Sequence, residues 1–469
     1  MKKIYAALFL IAPFVLLSFS SQAQFCFDPK VPYVSGIDPR ALCQADFNGD
    51  HFMDLAVSNL GSGASNVSIL LGNGFGNFTF DTSIAVDPLS HAISSADFNG
   101  DGFADFATSN TGPGNVSIVL GNGSGHFTSI PGFNTGIYQP NSICSGDFNG
   151  DHNADLVIST GFNYVLLELG IGNGNFNPPV QITTGNSSHE VIRADFNIDG
   201  KDDLALVTYN GVFQVTVLLG NGSGGFGSVN NYTVGNSPVD LIAADLNGDF
   251  KPDLITANRM DNVTGNLSVL IGNGLGGFAT AVTVGVGTTT VPKAIVAGDF
   301  DNDGFSDLAA SCVTSNSIPG IALLHGNGAG SFGLPVGFAV DSFPVSMVAS
   351  DFNFDGKLDI AAAATRSNID SGYVSVLLNC NTTGVNENPV QDNNHSVYPN
   401  PTSINHEIRF ANSGDVDELK VSDPAGREIF SSVNFKSSGS FFIRVPGIYF
   451  VTSISKNEIQ TQKIIVNRD

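Results

Sequence analysis

Seven short stretches of the chain place carboxylate or amide oxygens at positions 1, 3, 5 and 9 of a nine-residue loop. The first holds Asp46, Asn48, Asp50 and Asp54; the second Asp97, Asn99, Asp101 and Asp105; the third Asp147, Asn149, Asp151 and Asp155. The fourth holds Asp195, Asn197, Asp199 and Asp203, and the fifth Asp245, Asn247, Asp249 and Asp253. Asp299, Asp301, Asp303 and Asp307 make the sixth; Asp351, Asn353, Asp355 and Asp359 the seventh. Short oxygen-bearing side chains at alternate positions of one turn curl onto a common point, with the position-7 carbonyl beside them. A hard cation that takes six to eight oxygens suits such a set, so Ca²⁺ is expected, up to seven ions with a structural role. Position 6 turns sharply and favours glycine. Gly102, Gly200, Gly304 and Gly356 meet that demand, His51 and His152 less well, and Phe250 least. The two histidines read either as tolerated turn residues or as extra ligands.

Successive first aspartates lie 51, 50, 48, 50, 54 and 52 residues apart, a register that marks a repeat architecture. An apolar run enters each loop, and a second leaves its last aspartate, as in Asp105-Phe106-Ala107-Thr108-Ser109. A third, such as Asn115-Val116-Ser117-Ile118-Val119-Leu120, ends in a Gly-Asn-Gly turn beginning at Gly72, Gly121, Gly172, Gly220, Gly272 or Gly326. A phenylalanine then opens a fourth run: Phe78, Phe127, Phe176, Phe226, Phe278 and Phe332. Short β-branched and aromatic runs punctuated by glycine read as strands, and Asn-Gly suits a tight hairpin. Four strands per repeat over seven repeats predict an all-β, seven-bladed β-propeller across residues 25–380. A β-solenoid competes, but its repeats are shorter. The seventh repeat lacks its turn and fourth strand, and Phe27 to Val34 has the place and character to supply it. Closure would put Cys26 beside Cys380, so a disulfide between them would staple the ring. Cys43, Cys144 and Cys312 read as small buried hydrophobes.

The formal net charge is −24, from 19 lysines and arginines against 43 acids. That excludes a nucleic-acid surface, which must be basic. Three aspartates per loop, with Asp301, supply 22 of those acids, and bound cations relieve their repulsion. Residues 1–24 read as a signal peptide: Lys2 and Lys3, an apolar stretch from Ala6 to Phe19, and a small-x-small site at Ser21-Gln22-Ala23, with cleavage after Ala23 or Gln24. No later apolar run is long enough to span a membrane, so the processed chain is not expected to be transmembrane. Residues 381–396 read as a polar linker. Residues 397–469 alternate and turn like a small β-sandwich, from Val397-Tyr398-Pro399-Asn400-Pro401 to Lys463-Ile464-Ile465-Val466.

The acidic loops, each running into a Leu-Ala-Val-Ser-like strand, resemble FG-GAP or VCBS repeats over residues 25–380. The resemblance implies a propeller like that of integrin α-subunits, with calcium held between the first two strands of each blade. The C-terminal segment, through its Tyr398-Pro399-Asn400-Pro401, Asp423, Gly426-Arg427 and Gly447-Ile448-Tyr449, resembles the type A sorting domain of the type IX secretion system. That implies passage through the periplasm and across the outer membrane by the type IX machinery, often with removal of the domain. The chain would then be secreted or held at the cell surface.

Three functions follow. The first is a binding or adhesion module for a glycan or protein on an extracellular surface. The second is an enzyme acting on extracellular polysaccharide, a lyase or hydrolase. No recurring histidine dyad, nucleophile elbow or zinc signature supports it, and His189-Glu190, the acid–base pair off the loop pattern, reads as a solvated turn. The third is an inert surface coat. The absence of tryptophan weakens a sugar-stacking site. Fold alone does not name a ligand.

Overall fold

In the computed structural model the chain divides into two units, residues 1–382 and 383–469. The structure describes residues 25–380, apart from 62–64, 137–138, 209–210, 261–264, 288–289, 315–319, 342 and 366–371, together with the strands and some connections of 395–467. The expected signal peptide and most of the linker, 381–394, lie outside the described residues, as do Pro399, Asn400, Pro401, Asp423 and Gly426.

The described residues of the first unit form seven four-stranded antiparallel sheets. In blade 1 the strands are Pro39–Ala45, Asp54–Asn59, Asn66–Gly72 and Phe78–Ala85, in that spatial order. The innermost strands of blades 2 to 7 are Ser90–Ala96, Ile143–Gly146, Val191–Ala194, Pro238–Ala244, Thr290–Gly298 and Pro344–Ser350. The second strand of every blade begins at the last aspartate of its loop, from Asp54 in blade 1 to Asp359 in blade 7. The sequence pattern explains the layering. Second strands are buried along their length and third strands nearly so, with apolar cores such as Leu55-Ala56-Val57, because a neighbouring blade covers each face. Fourth strands show a mixed, largely exposed pattern because they lie at the rim.

Seven hydrophobic clusters sit between successive blades, and one joins Leu42, Leu55 and Val57 of blade 1 to Ala361, Ala363 and Val374 of blade 7. The ring is therefore closed. The position-2 residue of each loop, phenylalanine in six and Leu246 in the fifth, joins this packing. Phe98 meets Phe176 of the next blade at 5.8 Å between ring centroids, and Phe352 meets Phe78 across the seam at 5.3 Å.

The N-terminal strand Val31–Val34 pairs antiparallel with Tyr373–Leu377 and completes blade 7. Cys26 and Cys380 form a disulfide with Cα atoms 5.1 Å apart, and the Cys380 N–H donates to the Cys26 carbonyl at 2.9 Å. A Lys30–Asp341 ion pair at 2.8 Å lies along the same seam. Cys312 is buried and Cys43 and Cys144 are half-buried; burial pushes all three thiols up to about 12.

The second unit holds a three-stranded and a five-stranded sheet. Leu419, Val421, Ile443, Tyr449 and Val451 are its buried apolar residues among those described.

Candidate functional site

The acidic loops join the first and second strands of each blade and share one hydrogen-bond plan. In the first, Asp46 Oδ1 accepts the Gly49 N–H at 2.7 Å and Oδ2 accepts the His51 N–H at 2.8 Å. Asn48 Oδ1 accepts the Asp50 N–H, and Asp50 Oδ1 accepts the Phe52 N–H, both at 2.9 Å. The backbone thus wraps around the position-1 carboxylate, whose two oxygens accept three N–H groups of the turn. The next blade clamps the loop from outside: Gly174, Gly224 and Gly276 donate to the position-2 carbonyls of Phe98, Phe148 and Phe196.

The position-9 aspartate has a second task. Asp54 is fully buried; its Oδ2 accepts the Phe47 N–H at 2.9 Å and its Oδ1 the Gly72 N–H at 2.7 Å. Asp105, Asp155, Asp203, Asp253, Asp307 and Asp359 repeat this, tying loop to third strand. Burial, ahead of repulsion from the loop's other carboxylates, raises all seven: Asp54, Asp307 and Asp359 to about 7, Asp105, Asp155 and Asp203 to about 6, and Asp253 in the same direction.

Two details differ from the expectation. Position 4 is as left-handed as position 6, with φ of 77° at Gly49, 59° at Ile198, 60° at Asn302 and 56° at Phe354. Every loop therefore has one glycine or two at positions 4 and 6, and ranking the loops by position 6 alone misplaced the strain. His51 and His152 adopt φ of 69° and 66°, and their imidazoles stand in solvent, 3.7 and 3.6 Å from Asp46 and Asp147. The Gly-Asn-Gly segment is also not a tight hairpin. Its first glycine is needed because a Cβ would meet a carbonyl oxygen, 2.2 Å from Met53 at Gly72 and 2.3 Å from Ala104 at Gly121. In blade 3 that role falls to Gly170, two residues before the expected Gly172.

A second constellation was not legible beforehand. The ring encloses a cavity of about 970 Å³. The residue six before each first aspartate lines it: Arg40, His91, Asn141, His189, Val239, Lys293 and Val345. In five blades a β-bulge at this position in the innermost strand accounts for the aim, with the register shifting around Arg40, His91, Val239, Lys293 and Val345. A bulge re-aims a side chain that regular pairing would bury or splay. Arg259 joins the lining from the end of a second strand. Glu190 and Asp240, five before their loops, also face the cavity; the Ser142 hydroxyl donates to Glu190 at 2.6 Å, and Asp240 accepts the Ile295 N–H at 2.7 Å. His189-Glu190 is thus part of the channel wall and not a solvated turn.

Family models match both parts of the chain. One for an FG-GAP-like repeat matches residues 46–108, 97–158, 195–256 and 245–310, and one for an FG-GAP repeat matches 343–377. The chain is an FG-GAP repeat protein. A model for a secretion system C-terminal sorting domain matches 396–467. Among solved structures, the BP39L lectin from Burkholderia pseudomallei is similar at a TM-score of 0.53 and 15% identity, covering 73% of this chain and 96% of that one. BBS1N in complex with ARL6DN is similar at a TM-score of 0.49 and 11% identity, covering 76% and 98%. The likeness to the lectin concerns the fold alone. No curated protein matches the chain.

The FG-GAP propeller is acidic, yet its channel is not. Arg40, Arg259 and Lys293 are three of its few cations, and Lys293 is pulled down by burial and then by the other two. Burial also lowers His91 and takes His189 to about 4, so both imidazoles are neutral at pH 7. Burial and then mutual repulsion raise Glu190, and burial raises Asp240. Arg40 is paired with Asp38 at 2.8 Å, whereas Lys293, partly desolvated and repelled by both arginines, is stabilised by an anion placed beside it. Among the described residues, no helix is long and apolar enough to cross a membrane.

Proposed function

We propose that this FG-GAP protein is an exported binding module whose central channel receives an anionic group of an extracellular glycan, with calcium held structurally in the blade loops. The observation that carries the reading is the convergence of Arg40, Arg259 and Lys293 on one cavity in a chain of net charge −24. A surface dominated by acids repels anions, so cations gathered at one concave site mark where an anion is wanted. The cavity is of the size that small-molecule or oligosaccharide segments occupy. The loops suit Ca²⁺ because positions 1, 3 and 5 offer hard oxygens on a turn already wrapped by its own amides. When bound, the ion would neutralise each loop's carboxylates; the chain's own part is to hold those oxygens together and lock loop to blade. The sorting domain supports delivery to the outer membrane or beyond by the type IX machinery.

Binding of the purified chain to neutral, carboxylated and sulfated polysaccharides tests this. Binding to an acidic class that weakens with salt and is lost in Lys293→Gln is expected. Equal binding by Lys293→Gln would overturn it. A second reading rests on Glu190 and Asp240, two half-buried carboxyl groups in one cavity wall, which suit acid–base cleavage of the bound glycan. Release of new chain ends by wild type, absent in Glu190→Gln while binding persists, is the outcome it requires.

A further inference from the structure

The sixth blade departs from the other six at two repeat positions at once. Position 3 of its loop is Asp301, where every other loop has asparagine. The residue before the first turn glycine, or its counterpart Asn379, is leucine or isoleucine in the other blades, at Leu71, Leu120, Leu169, Leu219, Ile271 and Leu378; here it is His325. The two changes meet in space. His325 Nδ1 lies 2.7 Å from Asp301 Oδ2 and 3.5 Å from Asp307 Oδ1, and its Nε2 lies 3.6 Å from Asp303 Oδ2.

Two observations set this apart from an acidic surface loop. The Asp301 side chain is only 1% exposed, and neither its Oδ2 nor His325 Nδ1 makes a hydrogen bond, although the atoms are close. Two buried polar atoms this close but not aligned for a hydrogen bond are held as a pair only by charge attraction when the imidazole is protonated, and are better satisfied by a shared cation. Moreover, one ligand atom each from Asp301, Asp303 and His325 lies within 4.8 Å of the others, and the same holds for Asp299, Asp301 and Asp307. Among the described residues no other loop draws three such groups that close. The edge of Phe25, 6.2 Å away between ring centroids, holds the imidazole in place.

We infer that the sixth blade holds a mixed imidazole–carboxylate site for a borderline divalent transition metal such as Zn²⁺, formed by His325, Asp301 and Asp303, with Asp307 adjoining. A nitrogen donor shifts preference from Ca²⁺, which takes oxygens, toward Zn²⁺ and its neighbours in the first row. The inference rests on the reading of the loops as metal-binding and assigns one of them a different ion.

The test is a calorimetric titration of the full chain with Zn²⁺ in excess Ca²⁺. His325→Leu and Asp301→Asn restore the residues that the other blades carry, so both variants fold as those blades do. Wild type is expected to take up one Zn²⁺ at least tenfold more tightly than either variant. Solvent-exposed histidines such as His51 contribute equally to all three. Co²⁺ in place of Zn²⁺ should give visible bands in wild type that are lost in His325→Leu. Identical Zn²⁺ isotherms for wild type and His325→Leu would overturn the inference. Thermal melting in Ca²⁺ and in chelator separates this from the wider reading. A melting temperature that ignores chelator, with the Zn²⁺ difference intact, defeats calcium in the loops and leaves the sixth site standing.

Discussion

Replacing both Cys26 and Cys380 with alanine should cost at least as much stability as a typical large-to-small change in the ring's core. The bond closes a chain segment with a sequence separation of 354 residues. Loop-closure entropy over that length gives about 6 kcal/mol at 25 °C as an upper figure, from the logarithmic dependence on loop size. Residual structure in the unfolded chain lowers it, so a loss of about 3–6 kcal/mol is expected. The native ring should survive in the variant. Four paired residues, Val31–Val34, still join Tyr373–Leu377, and Phe27 still packs against Phe338 at 5.2 Å. The seam should nevertheless open first, because its outer strand is mostly exposed. Guanidinium unfolding in saturating Ca²⁺ measures the first effect, and amide exchange across residues 27–34 the second. A stability change below about 0.5 kcal/mol, with protection of Val31–Val34 retained, would refute the staple argument.

Three further outcomes follow from the loops. The position-9 aspartates are raised by folding from an ordinary value of 3.8 to about 6 or 7 in six blades. Their favourable contribution is therefore complete below about pH 4 and is lost as pH rises through 6–7, so metal-free protein should melt at lower temperature at pH 8 than at pH 5. Saturating Ca²⁺, which binds the ionised form, should flatten or reverse that trend, and a metal-free melting temperature that climbs with pH would contradict it. Gly121→Ala drives a Cβ to 2.3 Å from the Ala104 carbonyl beside the Asp105 fastening, and should lower stability by roughly 2–3 kcal/mol in chemical unfolding. Phe250→Gly removes a 91%-exposed side chain held at φ 60°, and should raise stability by up to about 1 kcal/mol in the same assay.

The blade plan was legible because it depends on local chemistry repeated seven times: apolar runs, acidic turns and a phenylalanine after each turn. Closure was legible because a missing strand at one end matched a spare one at the other. The channel was hidden for a physical reason. Arg40, His91 and Lys293 sit in runs that read as ordinary inner strands, and only the pairing register creates the bulge that turns them inward. Position 4 was overlooked because Ile198 and Phe354 give no sign of a left-handed backbone; the wrapped position-1 carboxylate imposes it. The glycine at Gly170 escaped notice because the Gly-Asn-Gly pattern two residues later is closer to the other blades in sequence than in space. His325 looked like one histidine among eight until its position was aligned with six aliphatic neighbours and its ring was found against Asp301.

A crystal structure of the calcium-loaded chain with a bound acidic oligosaccharide tests the central claim most directly. The account predicts a carboxylate or sulfate in the central channel, within hydrogen-bond distance of Lys293 or Arg40, and Ca²⁺ in the blade loops. A ligand seated on the outer rim, with the channel cations facing only water, would contradict it.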